Sequence, residues 1–205
     1  MKNNFKQISI FVFTFLTFSL GVAQEKSLNT DNSKIRWYGE EITGKQHYGD
    51  LNFSSGSIEV KNNIITNGSF VVNMTSLTVE DLSGGGKKRL EGHLKSKDFF
   101  GVSDHQEATL KVTQNGKAEG DSQTLNGELT IKGITHPVSF TMKLETENSA
   151  SAVLVFDRSK YNVRFRSGSF FDKLGDKLIL DDIKLEEFHF EKPAQLFQKS
   201  PGTSA

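Results

Sequence analysis

A chain of 205 residues with no cysteine has room for one good hydrophobic core and no disulfide to reinforce it. Its 25 basic and 25 acidic side chains cancel, and no basic run is longer than Lys87-Lys88-Arg89. No single stretch of the sequence is therefore the concentrated positive face that a nucleic-acid or anionic-membrane partner requires. Without a cysteine, lipoprotein acylation is excluded as well.

The chain opens with Lys2 and Lys6, followed by an almost wholly apolar or hydroxylated stretch from Ile8 to Val22 and small residues at Gly21 and Ala23. This reads as a signal peptide over residues 1–23, cut near Ala23 or Gln24, which would place the mature protein in the periplasm or outside the cell. An apolar run of about 15 residues falls short of the ~20 that a spanning helix needs, so no stable membrane anchor is expected after cleavage.

Past the leader, apolar and polar residues alternate. Phe70, Val72 and Met74 share one parity, as do Ala108, Leu110 and Val112. Leu125, Gly127, Leu129 and Ile131 follow the same rule, and so do Val138, Phe140, Met142 and Leu144. A period of two with one apolar face marks half-buried antiparallel strands. Further strands are expected over Ile35–Glu41, Tyr48–Val60, Ala152–Phe156, Asn162–Arg166 and Leu178–Phe190. In the last of these, Ile179, Ile183 and Leu185 differ in parity from Phe188 and Phe190, which predicts a β-bulge near Glu186-Glu187. Asn67-Gly68, Asn115-Gly116 and Lys132-Gly133 read as turns. About eight short strands at this spacing suit a barrel or a sandwich.

One segment departs from alternation. Between Lys87 and Lys97, Leu90 and Leu94 lie four apart, with Arg89, His93 and Lys97 as a second row, which predicts one short helix entered through a flexible Ser83–Gly86. Residues 192–205, with two prolines and no periodicity, read as a disordered tail.

No motif for catalysis or for a cofactor stands out. Gly84-Gly85-Gly86-Lys87-Lys88 has lysine where a phosphate loop needs a hydroxyl. His47, His93, His105, His136 and His189 are never spaced as metal ligands on one element. Ser167-Gly168-Ser169 is not a nucleophile elbow, and Asp157, Asp172 and Asp176 sit where turns ordinarily place aspartate. No enzyme, no metal and no cofactor are expected. Twelve of the 17 phenylalanines follow the leader. They would either fill a small barrel solidly or line a cavity for one elongated lipid.

Several strings then take on a pattern. Arg89 to Phe100 contains His93-Leu94-Lys95-Ser96-Lys97-Asp98-Phe99-Phe100, and Leu125 to Val138 contains Gly127, Leu129-Thr130-Ile131, Gly133, Thr135 and Pro137-Val138. Trp37 precedes Gly44 to Gly49 with His47, then Phe53 and Gly56. Asp157-Arg158-Ser159 and the run Ser167 to Lys177 follow near the end. In that order these strings resemble the YceI-like, polyisoprenoid-binding family over roughly Ser27 to Glu191. One departure is Glu91-Gly92, where many members carry an acidic residue directly before the histidine.

The resemblance implies a lipocalin-like, eight-stranded antiparallel β-barrel with one short α-helix, occupying residues 27–191. It also implies a long-chain isoprenoid or other amphiphilic lipid in the barrel interior, for transport or storage. With the strand parities, this nominates Phe70, Val72, Met74, Phe99, Phe100, Leu129, Phe140, Met142 and Phe156 as lining, and His47 and Arg166 for the mouth. The alternative is a structural or interaction β domain with a filled core and no ligand. A homodimer is compatible with either.

Overall fold

The computed structural model describes residues 23–146 and 149–186. Within them nine strands run in the order β1 (Gln24–Ser27), β2 (Lys34–Glu40), β3 (Gln46–Lys61), β4 (Ile64–Asn73), β5 (Glu107–Glu119), β6 (Ser122–Ile131), β7 (Ile134–Thr146), β8 (Ser149–Asp157) and β9 (Asp182–Glu186). A single α-helix, α1 (Gly84–Lys95), stands between β4 and β5. All pairings are antiparallel. Their order, β2-β9-β8-β7-β6-β5-β4-β3 and back to β2, closes eight strands into a barrel, and β1 pairs beside β2 on the far half of the long β3. Closure leaves those eight strands no free edge in the ring.

Alternation becomes burial. Along β6, Gln123, Leu125, Gly127, Leu129 and Ile131 are buried and their neighbours are not. Along β8, Ala150, Ala152, Leu154 and Phe156 do the same. Two-residue turns set the register. Asn62 and Asn63 (φ 52° and 61°) join β3 to β4, and Lys132 and Gly133 (φ 52° and 73°) join β6 to β7. Positive φ at both central residues is the hairpin geometry that matches strand twist.

Several sequence expectations are corrected. Asn67-Gly68 lies inside β4, opposite Glu59 and Ile58, and Asn115-Gly116 lies inside β5 where the register against β6 shifts. At Gly116 a Cβ would fall 2.4 Å from the Thr124 carbonyl oxygen, so the glycine serves a close strand approach and not a turn. The turn itself is Gly120-Asp121. The predicted flexible glycines Gly84–Gly86 form the first turn of α1, which ends at Lys95 and not Lys97.

The predicted strand Asn162–Arg166 does not form. A 3-10 turn spans Arg158–Tyr161, and irregular chain follows. The cause is Arg158, whose side chain is fully buried. It donates to the carbonyls of Val163, Phe165 and Ile179 at 3.0 Å and of Leu180 at 3.2 Å, and it pairs with Asp181 at 3.2 Å. Carbonyls that a neighbouring strand would have bonded are taken by one guanidinium. Burial lowers the Arg158 pKa, against the opposing pull of Asp181 and Asp157. Of the predicted strand Leu178–Phe190, the part up to Asp181 forms only an isolated bridge between Ile179 and Glu41, β9 begins at Asp182, and residues 187–190 lie outside the described residues. The leader up to Val22, the chain beyond Glu186 that the bulge expected near Glu186-Glu187 would involve, and the tail 192–205 lie outside the described residues.

Candidate ligand-binding cavity

Strand ends and loops distinguish the two ends of the barrel. At one end, where β3 turns into β4 and β5 into β6, Val60, Ile65, Gln123, Met142 and Ala150 are all buried. Gln123 is the polar member, and its side-chain amide bonds both backbone groups of Ile65, accepting from N at 2.9 Å and donating to O at 3.0 Å. At the other end the chain leaves the strands for α1, the β2–β3 loop and the irregular 158–181 segment.

A cavity of about 640 Å³ opens toward this second end. Its wall comes from seven of the eight barrel strands: Ile35 and Trp37 from β2, Leu51 and Phe53 from β3, Phe70 and Val72 from β4, Ala108 and Leu110 from β5, Leu129 and Ile131 from β6, Leu154 and Phe156 from β8, and Ile183 and Leu185 from β9. Leu82, Leu90, Leu94, Phe99, Phe100 and Phe165 cover it. Ring contacts fix parts of this lining, with Phe53 and Phe70 centred 6.3 Å apart and Phe99 and Phe100 5.0 Å apart.

Helix α1 lies along the cavity with Gly86, Arg89, Leu90, His93 and Leu94 facing it, one side of a helix at three- and four-residue spacing. Glu91 accepts from the Val79 backbone N–H at 2.9 Å, and Lys95 donates to the Thr75 carbonyl at 2.9 Å, tying the opposite side to the incoming strap. That strap crosses β3 at Gly49, where a Cβ would stand 1.8 Å from the Thr78 carbonyl oxygen. The Trp37 indole N–H donates to the same oxygen at 3.0 Å. No side chain other than hydrogen fits there. Beyond the helix, Lys132 donates to the Phe99 and Asn162 carbonyls at 2.9 and 3.0 Å, and burial lowers its pKa.

Charged and polar side chains gather at one end of the lining: Glu40, Glu41, Lys45, His47, Arg89, Asp98 and Arg166. His47 Nδ1 meets Asp81 Oδ2 at 2.7 Å, while Asp81 Oδ1 accepts from the Tyr48 N–H at 3.1 Å. Burial by itself would raise the Asp81 pKa, but the His47 and Tyr48 contacts outweigh it and hold the carboxyl below its ordinary value. The ring of His47 is thereby oriented beside the cavity. His93 is different: its Nε2 is buried without a hydrogen-bond partner, and its ring meets Phe165 edge-on at 4.3 Å.

Of the residues nominated from sequence, Phe70, Val72, Met74, Phe99, Phe100, Leu129, Phe156, His47 and Arg166 all lie on this wall. Phe140 and Met142 do not. Both point inward from β7, but they are packed opposite Leu125 and Gln123 toward the closed end. Nearer the open end, Tyr161 packs against Phe156 (5.6 Å) and His136 (5.3 Å) and fills the space in front of β7. Sequence reasoning missed Ile35, Trp37, Leu51, Phe53, Ile183 and Leu185, although their own alternation carried the signal. It also missed His93 and Leu90, because a helix covering a barrel has no strand parity.

A 52-residue stretch is 46% identical to a UPF0312 protein of Pseudomonas aeruginosa strain LESB58 and, over an equal length, 38% identical to Protein YceI of Escherichia coli O17:K52:H18. Each match covers 25% of this chain and only 27% of the curated relative. Among solved structures, BcnA of Burkholderia cenocepacia matches with a TM-score of 0.62 at 20% identity, covering 79% of this chain and 97% of that one. A polyisoprenoid binding domain from Saccharophagus degradans matches at 0.54 and 14% identity, covering 84% of this chain and all of its own. At those identities the likeness establishes the fold. The sequence profile of the YceI-like domain matches residues 27–190, nearly the whole of the described barrel, and the chain belongs to that family.

Proposed function

We propose that this protein holds a long-chain isoprenoid, or a similar amphiphilic lipid, inside the barrel and carries or stores it without chemical change. The observation that carries this reading is the cavity: about 640 Å³, walled almost wholly by aliphatic and aromatic side chains and polar at one end only. That volume is in the range of small-molecule sites. The solved polyisoprenoid binding domain of the same fold supports the choice of ligand. The apolar leader supports a periplasmic or secreted location.

Apolar burial would supply the affinity. At about 0.8 kcal/mol per CH₂, one five-carbon unit contributes ~4 kcal/mol before costs. Micromolar binding needs about −8 kcal/mol and association itself costs ~4 kcal/mol or more. Three or more isoprene units therefore suffice. The polar end of the molecule would remain beside Lys45, His47 and Arg166, where it need not be desolvated unpaired.

The test is organic extraction and mass spectrometry of the protein purified from its own cells without detergent, expected to yield a stoichiometric isoprenoid. Ala108, small and on the wall, offers the matching substitution. Ala108→Phe should occupy the cavity and weaken retention of the longest prenyl chain by about tenfold or more, the loss of one or two buried CH₂ groups' worth of contact. A folded wild-type protein that carries no lipid and refuses added isoprenoids would instead favour an interaction domain.

A further inference from the structure

We propose that the rim of the cavity is a docking surface for an anionic lipid bilayer. The proposal extends the lipid-holding reading, but it rests on different residues. Four large apolar side chains are exposed among the described residues, and two of them, Ile42 (53% exposed) and Phe171 (49%), stand on the two loops that flank the cavity's polar end. By contrast, Phe70, deep in the same cavity wall, is 1% exposed.

The two loops form one continuous surface. Ile42 N–H donates to the Leu178 carbonyl at 2.9 Å, Leu180 N–H to Glu40 at 2.8 Å, and Ile179 N–H to Arg166 at 2.9 Å. Glu41, Phe165, Arg166 and Ile179, the neighbours of the exposed residues, line the cavity itself. A second, more open groove shares Asp98, Phe165 and Arg166 with the cavity and extends to Phe171 and Leu174.

Charge selects the occupant. The stretch from Arg164 to Lys177 carries Arg164, Arg166, Lys173 and Lys177 against Asp172 and Asp176, a local excess of two cations in a chain of zero net charge. Lys97 and Lys132 border the same groove. Arg164 and Arg166 lie over the rings of Phe170 (4.5 Å) and Phe165 (5.1 Å), cations laid on aromatic faces beside the mouth. Arg166 and Lys173 hold φ of 51° and 59°, a left-handed backbone that bulky residues rarely adopt and that here turns this loop at the rim. Glu40 and Glu41 face the cavity from the opposite loop. Separate apolar protrusions set among lysine and arginine suit the interface of an anionic membrane, where the rings and alkyl chains enter below the headgroups that the cations meet. A water-insoluble cargo could pass between bilayer and cavity across such a rim.

The experiment is vesicle flotation with residues 23–205, which keep the whole closed barrel and omit the apolar leader that would itself enter lipid. Vesicles of phosphatidylglycerol with phosphatidylethanolamine should bring the protein to the top of the gradient, phosphatidylcholine vesicles should not, and high salt should release it. The pair Lys173→Gln and Lys177→Gln should weaken binding about thirtyfold. Ile42→Ser with Phe171→Ser should weaken it on the order of tenfold. All four positions are exposed, so folding should be unchanged by circular dichroism, and binding of a fluorescent farnesol analogue should match wild type. Equal flotation of wild type and both variants, equal binding to neutral vesicles, or no flotation with anionic vesicles would each overturn the proposal. A protein that floats through this rim but ignores the farnesol analogue would keep the docking surface and sink the cavity reading.

Discussion

Two buried polar side chains show how single residues shape the open end. Arg158 converts what its sequence presents as a strand into a loop by taking four backbone carbonyls for itself. Tyr161, beside it, is 1% exposed and its hydroxyl has no hydrogen-bond partner. Burial, followed by the nearby Asp157 charge, raises its pKa to about 12. An unfolded tyrosine loses its proton near pH 10, so between pH 10 and about 12 the unfolded chain binds fewer protons than the folded one. Stability is then lost as pH rises through that window, by up to about 2–3 kcal/mol. Tyr161→Phe should remove that loss. At pH 7 it should leave stability unchanged or raise it by about 1 kcal/mol, since an unpaired buried hydroxyl is eliminated. Urea unfolding at pH 7 and pH 11 measures both effects, and a wild-type stability that is flat across the alkaline window would contradict the assignment.

Among the elements, α1 is the least secure by its own composition. Gly84, Gly85, Gly86 and Gly92 make up a third of its 12 residues, and glycine costs about 1 kcal/mol against alanine within a helix. Its place depends on the Val79–Glu91 and Thr75–Lys95 bonds and on Leu94, the helix residue that is buried. At Gly92 φ is not positive and a Cβ would meet nothing within 4 Å. Gly92→Ala should therefore raise thermal stability by an amount corresponding to about 1 kcal/mol, read by calorimetry. A decrease would mean that the glycine serves a contact or a movement of the helix over the cavity. The Trp37–Gly49–Thr78 crossing is the opposite kind of glycine, since a Cβ there collides with backbone.

At the level of the whole barrel, one end is closed and one holds the cavity, and Gln123 marks the boundary. It supplies a carbonyl and an amide to Ile65, across a gap where β4 is no longer paired with β5. Gln123→Leu would leave both Ile65 backbone groups buried and unpaired, and should destabilise the protein by about 2–4 kcal/mol. Because Gln123 is not on the cavity wall, ligand retention by the folded fraction should be unchanged. Parallel denaturation and lipid-retention measurements separate these outcomes, and a loss of retention with stability intact would show that the ligand reaches the closed end.

The sequence by itself determined which faces of the strands point inward. Alternation is a local property, and the inward parity of Phe70, Leu129, Phe140 and Phe156 is visible in a few consecutive residues. The helix around Leu90 and Leu94, the Lys132-Gly133 turn and the family strings were legible for the same reason. What only the tertiary structure decided is depth along the barrel axis. Phe70 and Phe140 have the same parity and near-equal burial, yet strand stagger and the inserted Tyr161 leave one on the cavity wall and the other in packed core. The fate of Asn162–Arg166 was equally hidden, because it depends on an arginine whose bonding partners extend to Ile179 and Leu180. So was the rim. Cations and apolar side chains scattered along a neutral sequence come together only when the β2–β3 loop is bonded to residues 178–180, and separation in the chain carries no information about that meeting.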